Sequence, residues 1–232
     1  MSGGFALIVV LVLAGIIGLA WLSYHQAKKR REEFAAFAAA QGWTYVAADH
    51  SLAGQWQGEP FGAGDNRRAI NVVTGPFEGR SIVAFDYSYQ THSSDNNGHR
   101  TTTTHRFGIV AMRMPGTLPW LQVEHEGLFG GAVAHALGFR DLQFESEQFN
   151  RTFRVKAADD RFGHAVVHPR MMEMLLARGE IAWRFSGDTV LGWCNGSHDP
   201  NELLSRLDLL KQVVDNVPPY VWRDYAGVDP RV

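Results

Sequence analysis

Residues 81–90 read Ser-Ile-Val-Ala-Phe-Asp-Tyr-Ser-Tyr-Gln, and their alternation sets the class of fold. Val83, Phe85, Tyr87 and Tyr89 fall on one face at a period of two, the pattern of a half-buried strand. After a polar tip, residues 101–114 return as a second β-branched strand. Asn97-Gly98 between them is the strongest short hairpin signal available. A two-residue turn there places Val83 opposite Met112, Phe85 opposite Val110 and Tyr87 over Gly108. The other face pairs Asp86 with Ile109 and Ser88 with Phe107, and is mixed.

Working upstream, residues 69–74 form another apolar β-branched run, closed by the turn Gly75-Pro76-Phe77-Glu78-Gly79. Trp43-Thr44-Tyr45-Val46 is a short strand. Phe61-Gly62-Ala63-Gly64-Asp65 has the glycines of a phosphate loop but neither the preceding strand nor the following helix that such a loop requires. Downstream, residues 118–124 add a strand and 128–137 a small Gly/Ala-rich helix. Ser146 caps a one-turn helix ahead of the strand 152–156. Asp159 or Asp160 opens a helix to Val167, and His168-Pro169 restarts it with proline at its first position. A second hairpin runs 181–186, Gly187-Asp188, 189–194, with Trp183 across from Gly192. Asp199, Pro200 and Glu202 then mark the start of an amphipathic helix carrying Leu203, Leu207, Leu210, Val214 and Val217, which Pro218-Pro219 ends. Antiparallel β-hairpins packed with amphipathic helices, including a C-terminal one, make an α+β protein.

The far N-terminus adds a different element. Phe5 to Leu22 contains no charge and no proline, and about 18 such residues make a helix of roughly 27 Å, enough to span a bilayer. Met1-Ser2-Gly3-Gly4 lacks the basic residue of a signal peptide, and bulky residues stand where cleavage needs small ones. The expectation is an uncleaved, single-pass anchor. Lys28, Lys29, Arg30 and Arg31 follow it and no basic residue precedes it, so the N-terminus is expected outside and the domain in the cytoplasm. Ala14 and Gly18 are small residues four apart, a spacing that permits weak self-association of two such helices. The helix continues as a stalk to Gly42, and Phe34, Phe37 and Ala38 form the face that docks on the domain. The resulting division is anchor 1–24, stalk 25–42, a β-rich first half 43–140, an α+β second half 141–217 and a tail 218–232.

Composition narrows the function. The chain has 232 residues, a net charge of −2 and a single cysteine, Cys194. There is no global field for nucleic acid, no internal disulfide and no multi-cysteine zinc site. Cys194, on a strand face directed inward, reads as a small buried apolar residue.

Asp141-Leu-Gln-Phe-Glu-Ser-Glu-Gln-Phe-Asn-Arg-Thr-Phe-Arg-Val155, then Ala158-Asp159-Asp160 and His168-Pro169-Arg170-Met171-Met172-Glu173, resembles a family of uncharacterised bacterial single-span membrane proteins. Its members share an F-x-S-x-x-F-N-x-x-F-x-V segment and a proline-initiated helix with Met-Glu. The resemblance is clearest over residues 141–194. It implies membrane attachment and brings no activity, cofactor or site residue.

Histidine is the one residue type that invites a site, with ten copies. In the hairpin register above, His92, His99 and His105 share a face. His92 lies diagonal to His105 at roughly 7 Å, while His99 is roughly 13 Å further along. Two ligands fall short of the three or four that zinc takes. His164 and His168 are four apart but lack the intervening Glu of a metalloprotease helix. Asp159 and Asp160 read as helix-start residues. No catalytic residue, cofactor site or metal site is assigned. The expected function is a non-catalytic, membrane-anchored cytoplasmic domain that binds or scaffolds a membrane-associated protein partner. The alternative is a histidine-based metal-binding module or metal-dependent hydrolase.

Overall fold

The computed structural model describes residues 2–94, 98–125, 140–179 and 181–229, with the side chains of 2–9, 12 and 140 outside the description. Helix α1 runs unbroken from Ser2 to Ala40. At 1.5 Å per residue it is about 58 Å long. Among the described residues no helix is long and apolar enough to cross a membrane. Within the run Phe5 to Leu22, the side chains of residues 5–9 and 12 lie outside the description. The helix expected over 128–137 also lies outside the described residues.

The sheet is antiparallel throughout and built around one long strand. Its members are β1 (Thr44–Ala48), β2 (Asp65–Phe77), β3 (Arg80–Ser94), β4 (Arg100–His125), β5 (Arg140–Leu142), β6 (Phe153–Ala157) and β7 (Ala182–Asn195). β4 pairs with β3 over its first half and with β6 over its last five residues, while β7 follows its other edge almost throughout. β1, β2 and β3 extend one end of the sheet, and β5 and β6 the other. The two sequence halves therefore share a single sheet. The architecture is α+β with an antiparallel sheet and several helices, as the strand and helix patterns indicated.

Two hairpin details differ from expectation. β3 and β4 pair Phe85 with Ile109, Asp86 with Gly108 and Tyr87 with Phe107, one residue away from the register that an Asn97-Gly98 turn dictates. Pairing ends at Ser94 and Arg100, so the connection spans 95–99 rather than two residues. The interior chooses the register, because Gly108 beside Asp86 leaves room for an imidazole. A Cβ at Gly108 would stand 2.8 Å from His198 Nδ1. The second hairpin is also absent. Residues 182–195 form one strand, because β4 offers it a continuous partner from Phe107 to Val123, with a bulge near Leu118 and Gly187. Trp183 therefore pairs with Val123, and Gly192 with Val110.

The helices agree closely with their capping signals. Ser146 accepts from Phe149 N–H at the start of α2 (Glu147–Thr152), and Asp159 from Phe162 N–H at the start of α3 (Asp160–Val166). His168 caps α4 (Pro169–Arg178), and Asp199 caps α5 (Pro200–Asn216). α5 buries Leu203, Leu207, Leu210 and Val214 against the sheet. The short α6 (Pro219–Val221) and the turn Trp222–Ala226 pack back on the core through Val221 and Trp222. One face of the sheet carries the larger core, covered by α3, α4, α5 and the end of α1. The other carries a smaller, aromatic core covered by residues 49–64, with Trp56, Phe61, Phe85, Tyr87 and Trp193.

Candidate functional site at the root of the helix

The C-terminal third of α1 docks as its apolar spacing requires. Phe34 and Ala38 are fully buried, and Phe37 packs edge-on against Trp43. One turn earlier, Arg30 leaves the basic cluster and points into the domain. Its Nε and Nη2 donate to the Asp86 carboxylate at 3.0–3.3 Å, and Nη2 also donates to the His198 carbonyl. Lys28 and Lys29 remain on the surface beside Glu32 and Glu33.

Asp86 is 4% exposed, and a buried carboxylate is tolerated only when its lone pairs are answered. Besides Arg30 it accepts from Asn71 Nδ2 at 2.8 Å and from the His198 backbone N–H at 2.8 Å. Asn71 reaches it from a bulge in β2 with φ 53°, a left-handed conformation that Asn adopts more readily than most residues. Tyr45 Oη in turn donates to Asn71 Oδ1 at 3.2 Å.

His198 completes the network from the loop ahead of α5. Its Nε2 faces the Ile109 carbonyl at 2.8 Å, and its Nδ1 faces Arg206 Nη1 at 2.7 Å. A carbonyl only accepts and a guanidinium only donates, so the ring is the neutral tautomer with its proton on Nε2. Burial pushes its pKa down to about 4. Arg206 is held by Glu202 one turn back. Beside this network lies an open recess of about 700 Å³ lined by Arg30, Glu33, Phe37, Ser197, Asp199 and Asn201. The arrangement fixes the direction in which α1 leaves the domain, and it offers a mixed-charge surface at that point.

The histidines singled out in the sequence are dispersed. The observed register puts His92 and His105 on opposite faces of the ribbon. His92 contacts Thr102 and Asp65, while His105 stacks on Tyr89 with ring centroids 4.7 Å apart. His99 lies beyond the last paired residues. His164 meets the carbonyls of Asp160 and Gln143, while His168 accepts from the Met171 N–H and meets the Asn216 carbonyl. Among the described residues, no three His, Cys, Asp or Glu side chains gather as a metal-binding set. Cys194 is half-buried, with its thiol toward the Gly108 carbonyl and its pKa raised by burial. Sequence reasoning missed the His198 network. Its one trace was Asp86, a carboxylate in the middle of an otherwise apolar and aromatic strand.

No family model matches the chain, and no curated protein does. A solved structure does match: the mycobacterial trehalose monomycolate transport factor A, TtfA, with a TM-score of 0.62. The alignment covers 82% of this chain and 96% of that one, at 13% identity. The likeness is one of fold.

Proposed function

We propose that this chain is a membrane-anchored, non-catalytic domain that presents a protein-binding surface at the cytoplasmic face of the membrane. One observation carries the reading. Along α1, Val10, Leu11, Leu13, Ile16, Ile17, Leu19, Trp21 and Leu22 are all about half exposed or more, with no partner from the domain. A helix that is apolar on every side needs a hydrocarbon surrounding, either a protein core or a bilayer. The uninterrupted run from Phe5 to Leu22 suits the second. The same helix enters the domain through Arg30, Phe34 and Ala38, so anchor and domain form one continuous element. The likeness in sequence to single-span membrane proteins over residues 141–194 supports attachment. The fold likeness to a protein described as a transport factor supports a role as an accessory to a membrane process. The basic residues after the run favour a cytoplasmic domain.

Gentle solubilisation of membranes followed by affinity purification of the full chain tests the reading. A stoichiometric membrane-associated protein should co-purify, and substitutions around the recess, such as Asn201→Arg, should release it. Recovery of the bare chain from several mild detergents would overturn the binding role. Extraction by salt alone would overturn the anchor.

A further inference from the structure

The second core, on the sheet face away from α5, holds a charge that its surroundings leave half answered. Arg184 on β7 is 1% exposed. Its Nη1 donates to the Glu59 carbonyl at 2.7 Å. That approach depends on Gly58, where a Cβ would stand 2.9 Å from Nη1. Nε and Nη2 have no hydrogen-bond partner in the protein. These two N–H groups lie along one edge of the guanidinium, the edge that takes a carboxylate or phosphate through two parallel bonds.

The neighbourhood repeats the pattern. Five buried side-chain polar atoms among the described residues lack a partner, and four of them belong to Arg184, Trp193 and Tyr87. The Arg184 guanidinium lies 5.5 Å from the Trp193 ring and 5.9 Å from the Phe61 ring, and Phe61 packs on Tyr87 at 4.8 Å. Nine residues of straight strand would separate Arg184 from Trp193 by roughly 30 Å. Their contact therefore requires β7 to depart from straight, and its pairing with β4 shifts register near Gly187. Each orphan is a donor or carries a donor hydrogen, so the cluster calls for an acceptor.

The nearby carboxylates are committed elsewhere. Glu124 is paired with Lys156 at 3.1 Å and accepts from Gln122. Glu59 is in electrostatic reach, but its carboxyl makes no ion pair with Arg184, and burial raises its pKa. Burial likewise lowers Arg184 to about 10. A buried cation with half its donors unanswered is unfavourable.

We propose that Arg184 is the floor of a second site, independent of the anchoring role, that binds one oxyanion, a carboxylate or phosphate, across its Nε–Nη2 edge. Trp193 Nε1, on the ring beside the guanidinium, supplies a further donor. Trp56 and Phe61, held over the cluster by the 49–64 segment, exclude water. The anion has two possible sources, a small free anion or the head of an acyl chain.

Thermal melting of the full chain in neutral detergent, at constant ionic strength with chloride as background, tests this. The probes are acetate, inorganic phosphate and octanoate. At least one should raise the melting temperature saturably. A response to octanoate alone identifies an acyl source, and a response to acetate or phosphate identifies a free anion. Arg184→Lys keeps the charge but lacks the fork, and should weaken the response at least tenfold. Trp193→Phe should weaken it several-fold, and serves if the Arg184 variant does not fold. No saturable shift with any probe would overturn the site, as would equal shifts in Arg184→Lys and Trp193→Phe. Shifts seen only in Glu59→Gln would show Glu59 to be the occupant and overturn it equally.

Discussion

At the scale of single residues, the docking network makes two predictions of different kind. His198 is neutral in the folded protein with a pKa near 4, against about 6.5 when unfolded. Below pH 6.5 the unfolded chain takes up a proton that the folded chain refuses, so stability is lost as pH falls from 6.5 to 4. The full effect is about 3 kcal/mol. His198→Gln, which keeps a donor and an acceptor, should flatten the melting temperature over that window, and an unchanged slope would contradict the assignment. Asp86 and Arg30 make the second prediction. Removing Arg30 leaves a buried carboxylate with only Asn71 and the His198 N–H. Removing Asp86 strands both of those donors. Each single change should cost about 2–3 kcal/mol, discounted for Arg30 because its side chain is one-third exposed. The double variant Arg30→Met, Asp86→Leu should cost less than the two singles added. Simple additivity in urea melts would show that the pair is not coupled.

At the scale of elements, helix ends were legible and strand partners were not. Ser146, Asp159, His168-Pro169 and Asp199-Pro200 announce their helices because a cap is a local device, an oxygen and an N–H two or three residues apart. Strand register is not local. The Asn97-Gly98 signal argued for one pairing, and the burial of Asp86 against His198, 112 residues away, selected another. β7 shows the same limit, since Gly187-Asp188 has hairpin chemistry while β4 supplies a better partner. The single residue that carries this choice is Gly108. Its absent side chain admits the His198 ring, whose Nδ1, Cε1 and Cγ would lie 2.8–3.0 Å from an added Cβ. The ring is held at both nitrogens and cannot withdraw freely. Gly108→Ala should therefore destabilise the fold by about 1–3 kcal/mol, and the same change should cost less when made in a His198→Ala background. An undiminished cost in that background would place the strain elsewhere.

At the scale of the whole molecule, the proposed anchoring gives the four basic residues after the apolar run two separable functions. If the chain is anchored as proposed, its topology rests on charge near the membrane surface, where each Lys or Arg contributes about 1 kcal/mol of attraction to anionic lipid. Of the four, only Arg30 adds to the docking that Phe34 and Ala38 provide, because it turns inward to Asp86. Changing Lys28, Lys29 and Arg31 to Gln should leave the domain's melting transition within about 0.5 kcal/mol of the wild type, as for surface changes generally. The same triple change should increase the fraction of chains whose domain is digested when protease is added to spheroplasts. Arg30→Gln should do the opposite, with orientation nearly unchanged and the melting transition lowered. Wild-type domain should be protected until lysis. Digestion of the wild type before lysis would sink the cytoplasmic orientation. An Arg30→Gln variant with an unshifted melt would sink the division of labour.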